Sequence, residues 1–220
     1  MTTTVTQDVF QLAEVFTISR GSRTEAKVLT VKIERDGVVG WGECVPYARY
    51  DETMDSVADQ IAGLPADVTR DDLYDLLTAG AACNAVDCAL WDHEAKTAGK
   101  RVWDLIGVAA PKPCITAFTL SLDTPENMRA SAAKHAHRPL LKIKLGTPDD
   151  MARLEAVRAG APKSEIIVDA NEGWTADVYS DLAPHLIRLG VTMVEQPMPA
   201  GHDDMLGEIA RPLPVCADES

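Results

Sequence analysis

The sequence predicts an α/β protein: an N-terminal α+β domain over residues 1–112, followed by the first part of a TIM-type (β/α) barrel over residues 113–220. In the first part, two β-branched segments flank an Asp-Gly turn at residues 36–37, and helical patterns follow. From about Pro113, short apolar runs alternate with amphipathic helices at a near-constant spacing. That alternation is typical of βα units around a buried parallel sheet.

The N-terminal domain combines an antiparallel hairpin with helices. Thr69 is a good helix N-cap, and Gly99 ends a helical pattern as a C-terminal glycine does. We predict strands over residues 26–34 and 38–45 and helices over residues 70–78 and 80–98.

The second domain contains five apolar runs that read as strands. They cover residues 115–122, 140–145, 165–170, 191–195 and 214–217, with helices starting near Pro125, Pro148, Thr175 and His202. Polar residues mark these strands at Thr119, Lys144, Asp169, Glu195 and Asp218, in steps of 25, 25, 26 and 23 residues. A period of about 25 residues favours a barrel, and an open doubly wound sheet is the alternative.

The composition excludes several classes of protein. The net charge of −13 argues against binding to nucleic acid or to an anionic membrane surface. No apolar run approaches the ~20 residues of a membrane span, and no signal peptide is visible, so we expect a cytoplasmic protein. The five cysteines are scattered, which predicts free, buried thiols.

Charged residues within the apolar strands are candidates for chemistry. Lys142 and Lys144 lie two apart in one strand, so their side chains share a face, and each ammonium should lower the proton affinity of the other. A lysine tuned in this way can act as a base near neutral pH. The alternative is a pair of exposed lysines on an edge strand.

Three carboxylates, Asp169, Glu195 and Asp218, lie at the C-terminal ends of successive strands, where barrel active sites are built. They would repel one another without a cation between them, and an all-oxygen ligand set suits Mg²⁺, with Mn²⁺ as a substitute. Asn171 and Glu219 are placed as neighbours of this cluster. A divalent ion beside a basic lysine can stabilise the enediolate that forms when a proton α to a carboxylate leaves.

The chain resembles the muconate-lactonizing subgroup of the enolase superfamily, and most closely the dipeptide epimerases of the Ala-Glu type. The matching segments, in order, are FTISRGSRTEA, GWGECVPYARY, NAVDCALWD, FTLSL, LKIKLG, IIVDANEGW, MVEQPMP and PLPVCADES. The resemblance implies that the N-terminal domain is a capping domain over a modified barrel. It also implies Mg²⁺-dependent epimerisation of a dipeptide such as L-Ala-L-Glu, by an isomerase that forms homo-oligomers.

The resemblance also assigns roles to residues. Asp169, Glu195 and Asp218 correspond to the Mg²⁺ ligands, Lys144 to the acid/base lysine, and Lys142 to its charged neighbour, which also contacts the substrate carboxylate. Thr119 corresponds to a substrate-contacting threonine. Arg20 is the candidate for binding the substrate's side-chain carboxylate, with Arg23 as the alternative.

Other functions remain open from the sequence. Cycloisomerases, o-succinylbenzoate synthases and N-acylamino acid racemases of the same subgroup share the two lysines and three carboxylates. In the family a second lysine and the aspartates that hold the amino end of the dipeptide come from strands that would lie beyond Ser220. We therefore expect a fragment of a longer polypeptide or a chain completed by a partner, and a non-catalytic subunit is a further alternative.

Overall fold

The computed structural model describes residues 2–220, and their contacts divide the chain into two units. The first contains residues 2–12 and 25–112, and the second contains residues 13–24 and 113–220. The strands are β1 (Thr2–Ile18), β2 (Gly21–Arg35), β3 (Val38–Cys44), β4 (Phe118–Leu120), β5 (Leu140–Lys144), β6 (Glu165–Asp169), β7 (Val191–Glu195) and β8 (Val215–Cys216). The α-helices are α1 (Met54–Ala62), α2 (Arg70–Leu76), α3 (Ala81–Ala98), α4 (Val102–Leu105), α5 (Pro125–Lys134), α6 (Asp150–Gly160) and α7 (Ala176–Arg188).

The first unit is an antiparallel sheet covered by helices. The sheet order is β1-β2-β3, and β2 pairs with β3 around the turn at residues 36–37 as predicted. Helix α3 packs closely on β3 because Gly40 and Gly42 have no side chains: a Cβ on either would overlap a backbone carbonyl of α3. The buried side chains of α3 are small or aliphatic, which suits this close approach.

Strand β1 and helix α1 were not predicted. In β1 no residue is buried, so the hydrophobic alternation that marks a half-buried strand is weak. Helix α1 has only nine residues. It begins with a capping box in which Thr53 and Ser56 exchange hydrogen bonds.

The second unit contains a parallel sheet in the order β4-β5-β6-β7-β8, as the 25-residue period predicted. One face of this sheet packs on helices: Leu141, Ile143 and Val168 are fully buried in a core that includes residues of α5, α6 and α7. The segment after His202 forms a short 3₁₀ helix, Asp203–Gly207, rather than an α-helix. The domain boundary predicted at residue 112 stays a prediction. Residues 13–24 belong to the second unit, in which the Leu122 N–H donates to Thr17 O over 3.0 Å.

The loops that follow β5 and β6 pack backbone against backbone. A Cβ on Gly146 would overlap the carbonyl oxygen of Ala170, and one on Gly173 would lie 2.6 Å from the Cα of Gly146. Gly146 also has a φ of 106°, which side-chain-bearing residues rarely adopt. The loops after β5 and β6 can therefore approach each other this closely only because both positions are glycine.

Gly146→Ala is expected to lower the free energy of unfolding by about 2 kcal/mol or more, because it adds both backbone strain and a clash with Ala170. Urea unfolding followed by circular dichroism would measure this change. The matched control is Gly207→Ala, where an added Cβ meets no atom within 4 Å. Equal stability of the two variants would show that the loop contact is not tight.

His135, which directly follows α5, is expected to make the stability of the protein depend on pH. Its ring stacks on Phe118 with centroids 4.1 Å apart, and its pKa lies below the usual value, mainly because of burial and then because of Lys134. Arg138 and His137 act in the same direction, and Glu14 opposes them. In the folded protein the neutral ring is therefore favoured.

We expect the native state to lose stability as the pH falls below about 6.5, because the unfolded chain takes up a proton on His135 before the folded chain does. His135→Phe should lose less stability than the parent between pH 7.5 and 5.5 in urea titrations. His185→Gln, a change at an exposed histidine of α7, is the control. A pH dependence that is unchanged in His135→Phe would contradict this assignment.

Among residues 2–220, every helix is too short or too polar to cross a bilayer. The five cysteines are free, as predicted, but only Cys44 and Cys83 are buried. The expectation of burial is wrong for Cys88, Cys114 and Cys216, which lie on a solvent-facing side of α3, in a loop and in the short strand β8.

Candidate active site

The register of the parallel sheet places three candidate residues side by side. Lys144 pairs with Asp169 across β5 and β6, and Asp169 pairs with Glu195 across β6 and β7. Each residue is the last of its strand, so all three lie at the same, C-terminal edge of the sheet. Their positions alternate with those of the buried residues that face the helices, and so they lie on the opposite face.

The two lysines are bound to the carboxylates. Lys144 Nζ lies 2.5 Å from Asp169 Oδ2, and Lys142 Nζ lies 2.9 Å from the same oxygen and 2.6 Å from Glu195 Oε2. Lys144 and Asp169 are buried, and β5 lies between β4 and β6. The alternative of two exposed lysines on an edge strand is therefore wrong.

The electrostatic balance at Lys142 differs from the sequence-based expectation. Burial disfavours its charge, but the hydrogen bonds to Glu195 and Asp169 outweigh that effect and hold the pKa of Lys142 above its usual value. Burial likewise opposes the charge of Asp169, and the hydrogen bonds from Lys144 and Lys142 still keep the pKa of Asp169 low. The expected lowering by a like charge is wrong for Lys142, because the facing carboxylates act more strongly than the neighbouring lysine.

Glu195 carries the opposite shift. Burial raises the pKa of Glu195, repulsion from Asp169 and Asp218 adds to it, and the bond from Lys142 opposes the rise. The three carboxylates Asp169, Glu195 and Asp218 also outnumber the two lysines, Lys142 and Lys144. A cation at this position would relieve the repulsion.

The third carboxylate and its neighbours follow β8 and β6. The side chain of Asp218 is exposed, whereas that of Glu219 is buried. Asn171 donates its backbone N–H to Asp169 Oδ1 over 2.9 Å, and its φ of 45° bends the chain after β6. Within residues 2–220, the buried oxygens Asn171 Oδ1 and Glu219 Oε2 accept no hydrogen bond.

The donor set fits a hard divalent cation, since it consists of oxygens with an excess of negative charge and two unsatisfied buried acceptors. In the described part of the chain, however, no three Asp, Glu, His or Cys side chains are arranged as a metal-binding group. The ammonium of Lys142 lies between Asp169 and Glu195 instead. The assignment of Asp169, Glu195 and Asp218 as metal ligands stays a prediction.

Arg20 lies in the turn between β1 and β2 and binds the loops after β6 and β8. Its guanidinium is 3.0 Å from Glu172 Oε2, 2.8 Å from Glu219 Oε1 and 3.0 Å from the carbonyl oxygen of Asn171. Arg23 instead lies over the ring of Phe16, 5.2 Å from its centroid. Of the two arginines, these contacts favour Arg20 as part of the site.

Thr119 occupies the middle of β4, where it pairs with Lys142 and is half-buried.

Two further residues were missed by sequence reasoning. Glu172 binds Arg20 and accepts the backbone N–H of Ala200, and Gln196 directly follows Glu195. A Gln after a strand-ending Glu carries no charge signal, and Glu172 lies in a loop with no periodicity, so neither could be found from the pattern.

The chain is similar to two known protein families and to characterised enzymes. Residues 1–107 match the N-terminal domain family of mandelate racemase and muconate lactonizing enzyme, and residues 126–220 match the enolase C-terminal domain-like family. The L-Ala-D/L-Glu epimerase of Escherichia coli is 44% identical over all of this chain and 70% of that protein. An N-acetyl-D-glutamate racemase of Pseudoalteromonas is 41% identical over 88% of this chain and 63% of that protein.

Solved structures show the same fold. An enolase family member from Agrobacterium tumefaciens, described as homologous to dipeptide epimerases and solved with sodium and L-Ala-L-Glu, is 48% identical with a TM-score of 0.95. The match covers 99% of this chain and 68% of that one. A dipeptide epimerase from Enterococcus faecalis, solved with Mg and L-Leu-L-Tyr, is 27% identical with a TM-score of 0.88, covering 99% of this chain and 67% of that one.

These matches confirm the fold class predicted from the sequence: an N-terminal capping domain with an antiparallel sheet, followed by five parallel strands of the enolase-type barrel within residues 2–220. They also confirm the resemblance. The chain belongs to the enolase superfamily, among the dipeptide epimerases of the mandelate racemase and muconate lactonizing enzyme group, which are isomerases of amino-acid derivatives.

Proposed function

We propose that the protein that contains this chain epimerises a small dipeptide of the L-Ala-D/L-Glu type by moving the proton α to the glutamate carboxylate. The observation that carries this proposal is the register that sets Lys144, Asp169 and Glu195 next to one another at one edge of the sheet. The names of the relatives from Escherichia coli and Agrobacterium tumefaciens support the choice of substrate.

Mg²⁺ is the proposed cofactor, with Asp169, Glu195 and Asp218 as its protein ligands and Mn²⁺ as a substitute. When bound, the ion supplies Lewis-acid stabilisation of the negative charge that develops on the substrate carboxylate. The Mg-containing structure of the Enterococcus faecalis relative supports this assignment. Asn171 positions Asp169 through its backbone N–H, and Glu219 lies beside the cluster.

Lys144 is the proposed acid/base residue. Its ammonium now donates to Asp169, and to act as a base it must give up its proton and turn from that carboxylate to the substrate α-carbon. Lys142 keeps its proton, since the pKa of Lys142 is raised by its carboxylate partners, and it neutralises charge on the substrate carboxylate. The two lysines of one strand thereby have different roles, set by their different surroundings.

Arg20 is the proposed contact for the side-chain carboxylate of the substrate, and Thr119 a contact from β4. Arg20 already binds Glu172 and Glu219, so a substrate carboxylate must compete with one of these partners or share the guanidinium with them. If the substrate carboxylate replaces one of these partners, Arg20 must rearrange when the substrate binds.

A second candidate is the racemisation of an N-acylated glutamate, favoured by the 41% identity to N-acetyl-D-glutamate racemase. It uses the same α-proton chemistry and differs in the group on the amino end. Parallel assays of L-Ala-D-Glu, N-acetyl-D-glutamate and L-Ala-L-Leu with Mg²⁺, followed by polarimetry, would separate the candidates. Preferred turnover of L-Ala-D-Glu supports the proposal, preference for N-acetyl-D-glutamate favours the second candidate, and preference for L-Ala-L-Leu contradicts the role of Arg20.

The assembly is proposed to be a homo-oligomer, as in the family. Size-exclusion chromatography with light scattering would test this point.

A further inference from the structure

Gln196 connects the ends of three neighbouring strands. It follows Glu195 directly, is only 1% exposed, and has a φ of 34° in the left-handed region. Its backbone N–H donates to Cys216 O over 2.9 Å, and its carbonyl oxygen accepts the N–H of Glu172 over 2.9 Å. The backbone of this one residue therefore joins β7 to β8 and to the loop after β6.

The side-chain amide of Gln196 extends the connection. Its Oε1 accepts the backbone N–H groups of Asp218 and Glu219, at 2.9 and 3.1 Å. Its Nε2 donates to Met198 O and to Ser220 Oγ, at 2.8 and 2.9 Å. Nε2 also lies 3.4 Å from Asp203 Oδ1, a longer third contact. A primary amide has two acceptor and two donor positions, so these bonds use its whole capacity.

Strand pairing does not reach the segment after β8. The pairing of β7 with β8 ends at Cys216, and β8 itself has two residues. Beyond that point the consecutive N–H groups of residues 218 and 219 converge on one oxygen, which sets the bend of the backbone and so the directions of the two side chains. Glu219 then reaches Arg20, with 2.8 Å between Glu219 Oε1 and the guanidinium.

We infer that Gln196 is a positioning residue that holds Asp218 and Glu219 in place for the metal and substrate sites. This role rests on the proposed function, in which Asp218 is a metal ligand and Glu219 lies beside the cluster. A carboxylate could not replace the amide fully, because Nε2 must donate to the carbonyl of Met198. Gln196 acts through Asp218 and Glu219 and does not itself need to touch the substrate.

The test compares Gln196→Met with Ser164→Ala in the 220-residue chain. Gln196→Met nearly keeps the side-chain volume and removes every hydrogen bond of the side-chain amide. Ser164→Ala removes one buried hydrogen bond, from Ser164 Oγ to Arg138 O, at the other end of β6, and controls for a general loss of stability. Two readouts are used: hydrogen exchange of the backbone amides of residues 218 and 219 by NMR, and Mn²⁺ affinity by calorimetry.

Gln196→Met is expected to speed exchange of both amides about tenfold and to weaken Mn²⁺ binding about tenfold or more, whereas Ser164→Ala changes neither. Parent-like values for Gln196→Met in either readout, or equal changes in Ser164→Ala, would overturn the inference. If the parent chain binds no Mn²⁺, the proposed metal centre fails, and the exchange rates alone decide the role of Gln196. Should Gln196→Met not fold, Gln196→Asn, whose amide is one methylene shorter, tests the same bonds.

Discussion

Lys144→Ala is expected to lower the rate of α-proton exchange in L-Ala-L-Glu by at least about a thousandfold, within the range by which positioned acid/base groups contribute. Lys144 is the buried lysine at the end of β5, next to Asp169 in the register and bound to it. Removing its amine removes the proposed base, and water cannot take its place in a site of fixed geometry. Exchange would be followed by proton NMR in D₂O with Mg²⁺.

The same variant should bind Mg²⁺ no more weakly than the parent, because losing an ammonium beside Asp169 removes a charge that repels the ion. Lys144→Arg keeps the positive charge but cannot lose its proton at neutral pH, so it should also be inactive. The control is Lys163→Ala, a change at an exposed lysine just before β6, which should leave exchange unaltered. Exchange at the parent rate in Lys144→Ala would remove this residue from the mechanism.

The second large expected effect is a loss of affinity for Mg²⁺. Asp169→Asn and Glu195→Gln should each raise the dissociation constant for Mg²⁺ at least about a hundredfold, more than the loss of an outer partner typically does. Both changes keep the side-chain shape and remove a negative charge from a cluster in which burial, and then repulsion from Asp169 and Asp218, raises the pKa of Glu195. Isothermal titration calorimetry measures the affinity directly.

Asp169→Asn also leaves Lys144 without its buried carboxylate partner, so a thermal unfolding curve must accompany the titration. Glu195→Gln is the milder change, since Lys142 retains Asp169 as a partner. Asp181→Asn, an equal charge change at an exposed position of α7, is the matched control. Unchanged affinity in both site variants would show that these carboxylates do not hold the ion.

The sequence predicted the strands of the second unit within a few residues at each end, because each is a short apolar run with a polar residue close to its C-terminal end. Val191–Glu195 was predicted with its observed bounds. The constant step of about 25 residues also predicted that the ends of these parallel strands lie side by side. The observed register confirms this in the pairs Lys144 with Asp169 and Asp169 with Glu195.

The parts that could not be predicted depend on contacts between distant segments. The ion pairs of Arg20 with Glu172 and Glu219 join residues about 150 and 200 positions apart, and no local pattern encodes them. The pKa of Lys142 depends on carboxylates of two other strands, which a pattern of two lysines in one strand does not reveal. Gln196 is uncharged, and its side-chain hydrogen bonds reach residues of other segments that no local pattern reveals.

The most direct test of the central claim is proton NMR of L-Ala-L-Glu and L-Ala-D-Glu in D₂O with Mg²⁺ and the 220-residue chain. The account predicts that solvent deuterium replaces the glutamate α-proton of at least one epimer, and that this exchange requires both Mg²⁺ and Lys144. Inversion together with exchange would show that a second acid/base group is also supplied. Retention of the α-proton in both epimers, by a chain that calorimetry shows to bind Mg²⁺, would contradict the claim.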